Sequence, residues 1–267
     1  MANMNYLRTF STLGCPERTL DELLAIARDF GLRGVELRCL GGTTDLPGWL
    51  EKTYGTPAAL AAWLRESKVS VLALDTSLKL AQRTAAEQEA FLKFVPWAEA
   101  LNVPHLRVFD GGVAGDPAAV QQVAEGWRWW SELRLKNGWR TDVMIETHDS
   151  LVNTSALLAL IREAPGCRIL WDSHHTWKKG GEDPVGTWAA IKSQVVHIHV
   201  KDSVSRPSAR HPFTYVLPGE GEFPMPPLKA VLESEFTGPV SLEWELLWHP
   251  YLPPLEAALK KAAGGWW

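Results

Sequence analysis

The stretch Asp142-Val-Met-Ile-Glu146-Thr-His148-Asp149 sets three apolar residues before a cluster of acidic and imidazole side chains. A short buried strand reads this way when it emerges at a polar rim. The pattern recurs three times toward the C-terminus, as Arg168-Ile-Leu-Trp-Asp172-Ser-His174-His175, Val195-Val-His197-Ile-His199-Val-Lys201-Asp202 and Pro239-Val-Ser-Leu-Glu243-Trp-Glu245.

Working outward, apolar runs at Tyr6–Thr12, Gly34–Leu37, Val69–Leu74 and Pro104–Phe109 precede those at Asp142–Glu146, Arg168–Trp171, Val195–Val200 and Val240–Glu243. Between them lie stretches of helical periodicity: Thr19–Phe30, Pro57–Ser67, Thr84–Leu101, Asp116–Asn137, Ser155–Arg162, Pro184–Lys192, Met225–Glu235 and Leu255–Ala263. Loops are expected at Gly41–Tyr54 and Trp177–Glu182, and a Pro- and Gly-rich one at Ser205–Phe223. Eight strand–helix units in 267 residues predict an α/β fold, a (β/α)8 TIM barrel forming a single domain over residues 1–267; about 250 residues is typical of that barrel. A doubly wound sheet would show a Gly-rich phosphate loop after its first strand, and the chain has none.

Composition narrows the function. The chain carries 27 Lys+Arg against 31 Asp+Glu, a net charge of -4, which disfavours a nucleic-acid or anionic-lipid partner. Cys15, Cys39 and Cys167 form no CxxC pair and suit a reducing compartment. Met1–Leu13 lacks the apolar core of a signal peptide. No apolar run approaches the ~20 residues that span a bilayer. A cytoplasmic location without membrane contact is therefore expected. Among 14 tryptophans, Trp127 and Trp130 sit three apart on one helix, as packing residues do. The C-terminal Gly264-Gly-Trp-Trp267 reads as an exposed tail or a subunit contact, which leaves a homo-oligomer open.

In a (β/α)8 barrel the C-terminal ends of the strands form the active face. Charged side chains converging there repel unless a cation neutralises them. Three carboxylates and one imidazole suit one divalent ion, manganese ahead of magnesium, cobalt or zinc. By strand period, His197 shares a face with His199, and Glu243 with Glu245, so one of each pair is expected at the ion. His175 is favoured over His174 for the same reason. Lys201 could meet an acidic group or pair with Asp202. Glu36 could line the pocket or pair with Arg38 or Arg107. Trp177, Trp244 and Trp248 are candidates for a wall against sugar C–H groups.

These strand ends resemble the xylose isomerase-like barrels, which include sugar isomerases and epimerases, inosose and dehydroshikimate dehydratases and, distantly, the endonuclease IV branch. The resemblance covers nearly the whole chain and rests on several short motifs in order. They are Gly34-Val-Glu36, Leu106-Arg-Val-Phe109, Glu146-Thr-His148, Asp172-Ser-His-His175, His199-Val-Lys-Asp202, Gly219-Glu-Gly221, and Gly238 followed five residues on by Glu243. It implies Glu146, Asp172, His199 and Glu243 as metal ligands; on chemical grounds Glu146 and Glu243, from opposite sides of the barrel mouth, could serve as base and acid. It also implies a sugar hydroxyl contact for His175. His148, Lys201, Glu36 and Trp177 join it as candidate substrate-binding residues. The ketose epimerases of this family carry an Arg six residues after the ligand His; here that position is Ser205, with Arg206 next.

The chemistry expected is proton abstraction beside the carbonyl of a sugar, sugar phosphate or related polyol, through an enediolate. Isomerisation and epimerisation lead. A lyase dehydrating an inosose- or dehydroshikimate-like substrate is the alternative. A nuclease or a non-catalytic sugar-binding barrel follows further behind, since the second and third strands end at Cys39 and Ser77 without a further His.

Overall fold

The computed structural model describes residues 5–267, so the first four residues of Met1–Leu13 lie outside it. Eight parallel strands carry the fold: β1 (Leu7–Phe10), β2 (Gly34–Leu37), β3 (Ser70–Lys79), β4 (His105–Phe109), β5 (Asp142–Glu146), β6 (Arg168–Asp172), β7 (Val195–Val200) and β10 (Pro239–Leu242). They run in the order β1-β10-β7-β6-β5-β4-β3-β2. The two end strands meet through a parallel bridge between Ser11 and Glu36 and a 2.7 Å bond donated by the Thr9 hydroxyl to the Gly34 carbonyl. The result is a nearly closed (β/α)8 barrel.

Strand alternation divides the side chains into two sets. Outward residues such as Phe10, Val108, Ile145, Trp171, Ile198 and Leu242 are fully buried against the helices. The barrel interior holds a small apolar cluster, Ala73, Met144 and Leu170, and above it a polar network. Its members Glu36, Asp75, Arg107, His197 and His199 are all at most 2% exposed. Polar groups at such depth must find partners.

The outer helices are α1 (Leu20–Asp29), α2 (Leu46–Tyr54), α3 (Pro57–Leu64), α4 (Ala85–Leu92), α5 (Val95–Leu101), α6 (Ala119–Asn137), α7 (Thr154–Glu163), α8 (Ser173–Lys178), α9 (Pro184–Ile191), α10 (Met225–Glu235) and α11 (Leu255–Lys261). Three expectations are corrected. Gly41–Tyr54 is not all loop: Asp45 accepts a 3.2 Å bond from the Gly48 N–H and caps α2. Thr84–Leu101 is not one helix. Pro96 sits in the first turn of α5; it lacks an N–H and its ring would clash with the carbonyl four residues back, so the chain breaks after α4. Inside the loop Ser205–Phe223, strand β9 (Thr214–Val216) pairs antiparallel with β8 (Asp202–Val204).

The C-terminal tryptophans are also corrected. Trp267 is 2% exposed and Trp266 lies 6.3 Å from the Phe223 ring, so both fold back onto the chain's own core. Trp130 packs edge-on against Phe91 at 5.2 Å and donates its indole N–H to Asp142 at 2.9 Å, which fixes α6 to the base of β5. Among the described residues no helix is long and apolar enough to cross a membrane, and the three cysteines are free and buried.

Candidate metal centre

Register places the candidate ligand set. Asp172 on β6 pairs with His199 on β7, and Ser241 of β10 pairs with the same His199, which brings Glu243 two residues beyond it. Glu146 ends β5, beside Leu170 of β6. One ligand-type atom from each of Glu146, Asp172, His199 and Glu243 lies within 4.8 Å of all the others, and all four residues are buried.

His199 organises the group. Its Nε2 contacts both Glu36 carboxylate oxygens, at 2.9 and 3.0 Å. Its Nδ1 faces Glu243 at 3.3 Å and Glu146 at 3.9 Å, with no hydrogen-bond partner. The Glu146 Oε2 is likewise buried and without a hydrogen bond. A cation bound by Nδ1 and three carboxylates would satisfy those orphan atoms, and Glu36 would hold the imidazole in the right tautomer and orientation. The donor set fits a divalent ion. Glu36, His197 and His199 also lie close together, but their N–O separations of 2.7 and 2.9 Å are hydrogen-bond lengths, so this triad supports the centre rather than forming a second one.

Electrostatics point the same way. Burial disfavours charge on His199, yet Glu243 and Glu36 push its pKa well above the ordinary value. Burial also opposes the charge on Glu36, but His199 and His197 hold its carboxyl well below the usual range. Burial, with Glu243 nearby, raises Glu146 despite Arg107. Without a cation the cluster draws a proton onto His199 to balance its carboxylates.

A cavity of about 260 Å³ opens above this floor. Glu146, Glu243 and Glu245 line one side, His148 and His175 stand between, and Trp248 closes the rim. The His175 ring is fixed by Asp172 at 3.0 Å and by the Thr147 carbonyl at 3.2 Å. The chain does not continue as a strand after Asp172. It turns at once into α8, because the Asp172 carboxylate caps the His175 N–H at 2.9 Å. That turn sends His174 away from the cavity to Ser203, at 2.7 Å, among Trp177, Phe213 and Tyr215.

Several candidate substrate contacts lie elsewhere. Glu36 is fully buried beneath His199 and accepts a further 2.7 Å bond from the Ser241 hydroxyl; it pairs with neither Arg38 nor Arg107. Lys201 is 1% exposed and serves Asp172 at 2.8 Å, Glu245 at 2.6 Å and Glu243, not Asp202. Trp177 packs on Phe223, with ring centroids 5.5 Å apart and away from the cavity, and Trp244 is buried; of the three candidate wall residues only Trp248 lines the cavity. His148 does face it, with Nδ1 2.8 Å from Asp149.

Some contributors carry no signal in the sequence. Asp110 accepts from the N–H groups of His148, Asp149 and Ser150 at 3.2, 2.7 and 2.6 Å, and so shapes the loop that presents His148. Arg38 and Lys79, from the ends of β2 and β3, line the same cavity on strands away from those of the candidate ligands.

The sequence matches the family described as xylose isomerase-like TIM barrel over residues 24–266. The chain belongs to the xylose isomerase-like TIM barrel family. No curated protein sequence matches it significantly. Similar solved structures include a probable 3-DHS dehydratase, AsbF, involved in petrobactin synthesis in Bacillus anthracis. It is 19% identical over 95% of this chain and 97% of that one, with a TM-score of 0.75. The IolI protein with a bound zinc atom is 16% identical over 97% and 95%, with a TM-score of 0.70. A D-tagatose 3-epimerase-like protein is 13% identical over 97% and 96%, with a TM-score of 0.68. At these identities the likeness is one of fold.

Proposed function

We propose that this xylose isomerase-like barrel is a divalent-metal-dependent isomerase or epimerase of a small sugar, sugar phosphate or polyol. Glu146, Asp172, His199 and Glu243 would hold the ion, and three carboxylates with one imidazole favour manganese. The observation that carries the reading is the buried His199 Nδ1, unpaired and facing two carboxylates, while Nε2 is tied to Glu36. A bound cation supplies Lewis-acid stabilisation of the charge that builds on a carbonyl oxygen as the neighbouring C–H proton leaves.

The chain's own part is proton handling. Glu146 and Glu243 both reach the cavity, from strands on either side of the ligand cluster. One carboxylate takes the C–H proton and the other returns a proton. Return to the opposite face of the same carbon gives an epimer; return to the neighbouring carbon gives an isomer. His175, locked by Asp172 and Thr147, is placed to orient a hydroxyl. At about 260 Å³ the cavity falls just below the usual range of ligand pockets, about 300–1,000 Å³, and suits a monomeric substrate rather than a polymer.

A dehydration is the second reading, and His148 favours it. Its Nδ1 is taken by Asp149, which leaves Nε2 toward the cavity as a group able to protonate a departing hydroxyl. The test is Glu146→Gln and Glu243→Gln, assayed for bound manganese and for deuterium exchange at carbon over a polyol panel. Loss of both supports the reading; retention of both in both variants sinks it. An enone chromophore would assign the lyase.

A further inference from the structure

The cavity is polarised. Its metal side carries Glu146, Glu243 and Glu245, whereas the wall from β2, β3 and β4 carries Arg38, Lys79 and Arg107. Register fixes that separation: Lys79 of β3 pairs with Phe109, and Phe109 pairs with Glu146 one strand further on.

Among the described residues Arg38 and Lys79 make no ion pair, and Arg107, though paired, keeps one nitrogen free. Arg107 is 2% exposed and lies 3.6 Å from Asp75 and 3.3 Å from Glu146, yet its Nη1 is buried with no hydrogen-bond partner. Arg38 is 6% exposed and binds only neutral groups, the Asp75 carbonyl at 3.4 Å and the Ser77 hydroxyl at 3.0 Å. Lys79 is exposed and makes no ion pair among the described residues. Burial, and the neighbouring Arg107 cation, bring Arg38 down to about 10 despite Asp75 and Glu146.

Keeping the Arg38 guanidinium buried without an ion-pair partner is costly, since a buried charge is tolerated chiefly when paired. We infer that Arg38 and Lys79, with the free Nη1 of Arg107, form a subsite for an anionic substituent of the substrate, a carboxylate or a phosphate. The substrate bridges the cavity, with its hydroxyketone toward Glu146 and Glu243 and its anion toward β2 and β3. This rests on the metal-enzyme reading for the orientation of the hydroxyketone, but the anion preference belongs to the cationic wall itself.

The experiment titrates three probes calorimetrically into the metal-free and the manganese-loaded protein: fructose, fructose 6-phosphate and 5-ketogluconate. At least one anionic probe binds tighter than fructose, by about tenfold or more in Kd for one charge-assisted contact. A phosphate-only or carboxylate-only preference identifies the source of the anion. Arg38→Met and the exposed Lys79→Gln each shrink that ratio toward one, while manganese stoichiometry is retained. Because Lys79→Gln alters a surface side chain, it tests the subsite even if Arg38→Met folds poorly. Fructose equalling both anions, no binding by either anion, or variants that leave the ratio intact overturns the subsite. Manganese is titrated separately: if it fails to bind while the anion preference persists in the metal-free protein, the metal reading falls and the subsite stands.

Discussion

His199 Nε2 lies 2.9 Å from a Glu36 carboxylate oxygen, although 163 residues of chain separate the two. The contact crosses the barrel interior between its second and seventh strands and leaves Nδ1 of the same ring toward Glu243 and Glu146.

Glu36→Gln keeps the size of the side chain but removes the charge that orients His199. Changes to such supporting residues weaken metal affinity about 10–100-fold. Manganese binding by Glu36→Gln is expected to fall by that range with the circular dichroism spectrum unchanged. Unaltered affinity would show that Glu36 does not position the imidazole.

Lys201→Met leaves Asp172, Glu243 and Glu245 without their shared cation. Removing one partner of a buried ion pair costs about 3–5 kcal/mol. The metal-free variant should unfold at lower urea than the wild type, and manganese should narrow the gap by supplying positive charge nearby. An unchanged urea midpoint would count against Lys201 as the internal counter-ion.

Asp202 accepts the N–H groups of Gly219, Gly221 and Phe223 at 2.9, 3.0 and 3.0 Å, which pins the loop after β9. Gly219 has a φ of 83°, open to glycine, and a Cβ on Gly221 would collide with the Asp202 carboxylate. Gly221→Ala is expected to destabilise by about 1–3 kcal/mol through overpacking. Hydrogen exchange should quicken at Phe223; exchange and stability equal to the wild type would refute the clamp.

Burial brings His105, at the start of β4, from 6.5 down to about 4. The folded protein keeps this ring neutral while the unfolded chain protonates it below about pH 6.5. Above pH 6.5 the ring is neutral in both states and costs nothing; the penalty grows as pH falls from 6.5 to about 4, reaching roughly 3 kcal/mol. His105→Gln should show a shallower fall in urea midpoint across that window. Equal slopes for the two proteins would exclude the effect.

The fold was legible because strand and helix periods survive in the local sequence. Gly34–Leu37 and Asp142–Glu146 read as strands with the bounds they have in the barrel. Boundaries went astray where one residue overrode the pattern, as Pro96 did between α4 and α5. The motif Gly219-Glu-Gly221 was visible, but its partner Asp202 gains its purpose only when the loop returns to it.

The sequence by itself determined the barrel and the ligand types at four strand ends, because alternation along a strand is a local property. Only the tertiary structure decided what each polar group faces. It turned Glu36 and Lys201 into buried supports, sent His174 away from His175 at the start of α8, and set Arg38 and Lys79 on the same cavity as Glu146. Those relations depend on register around a nearly closed sheet, which joins residues from distant parts of the chain at separations no local pattern records.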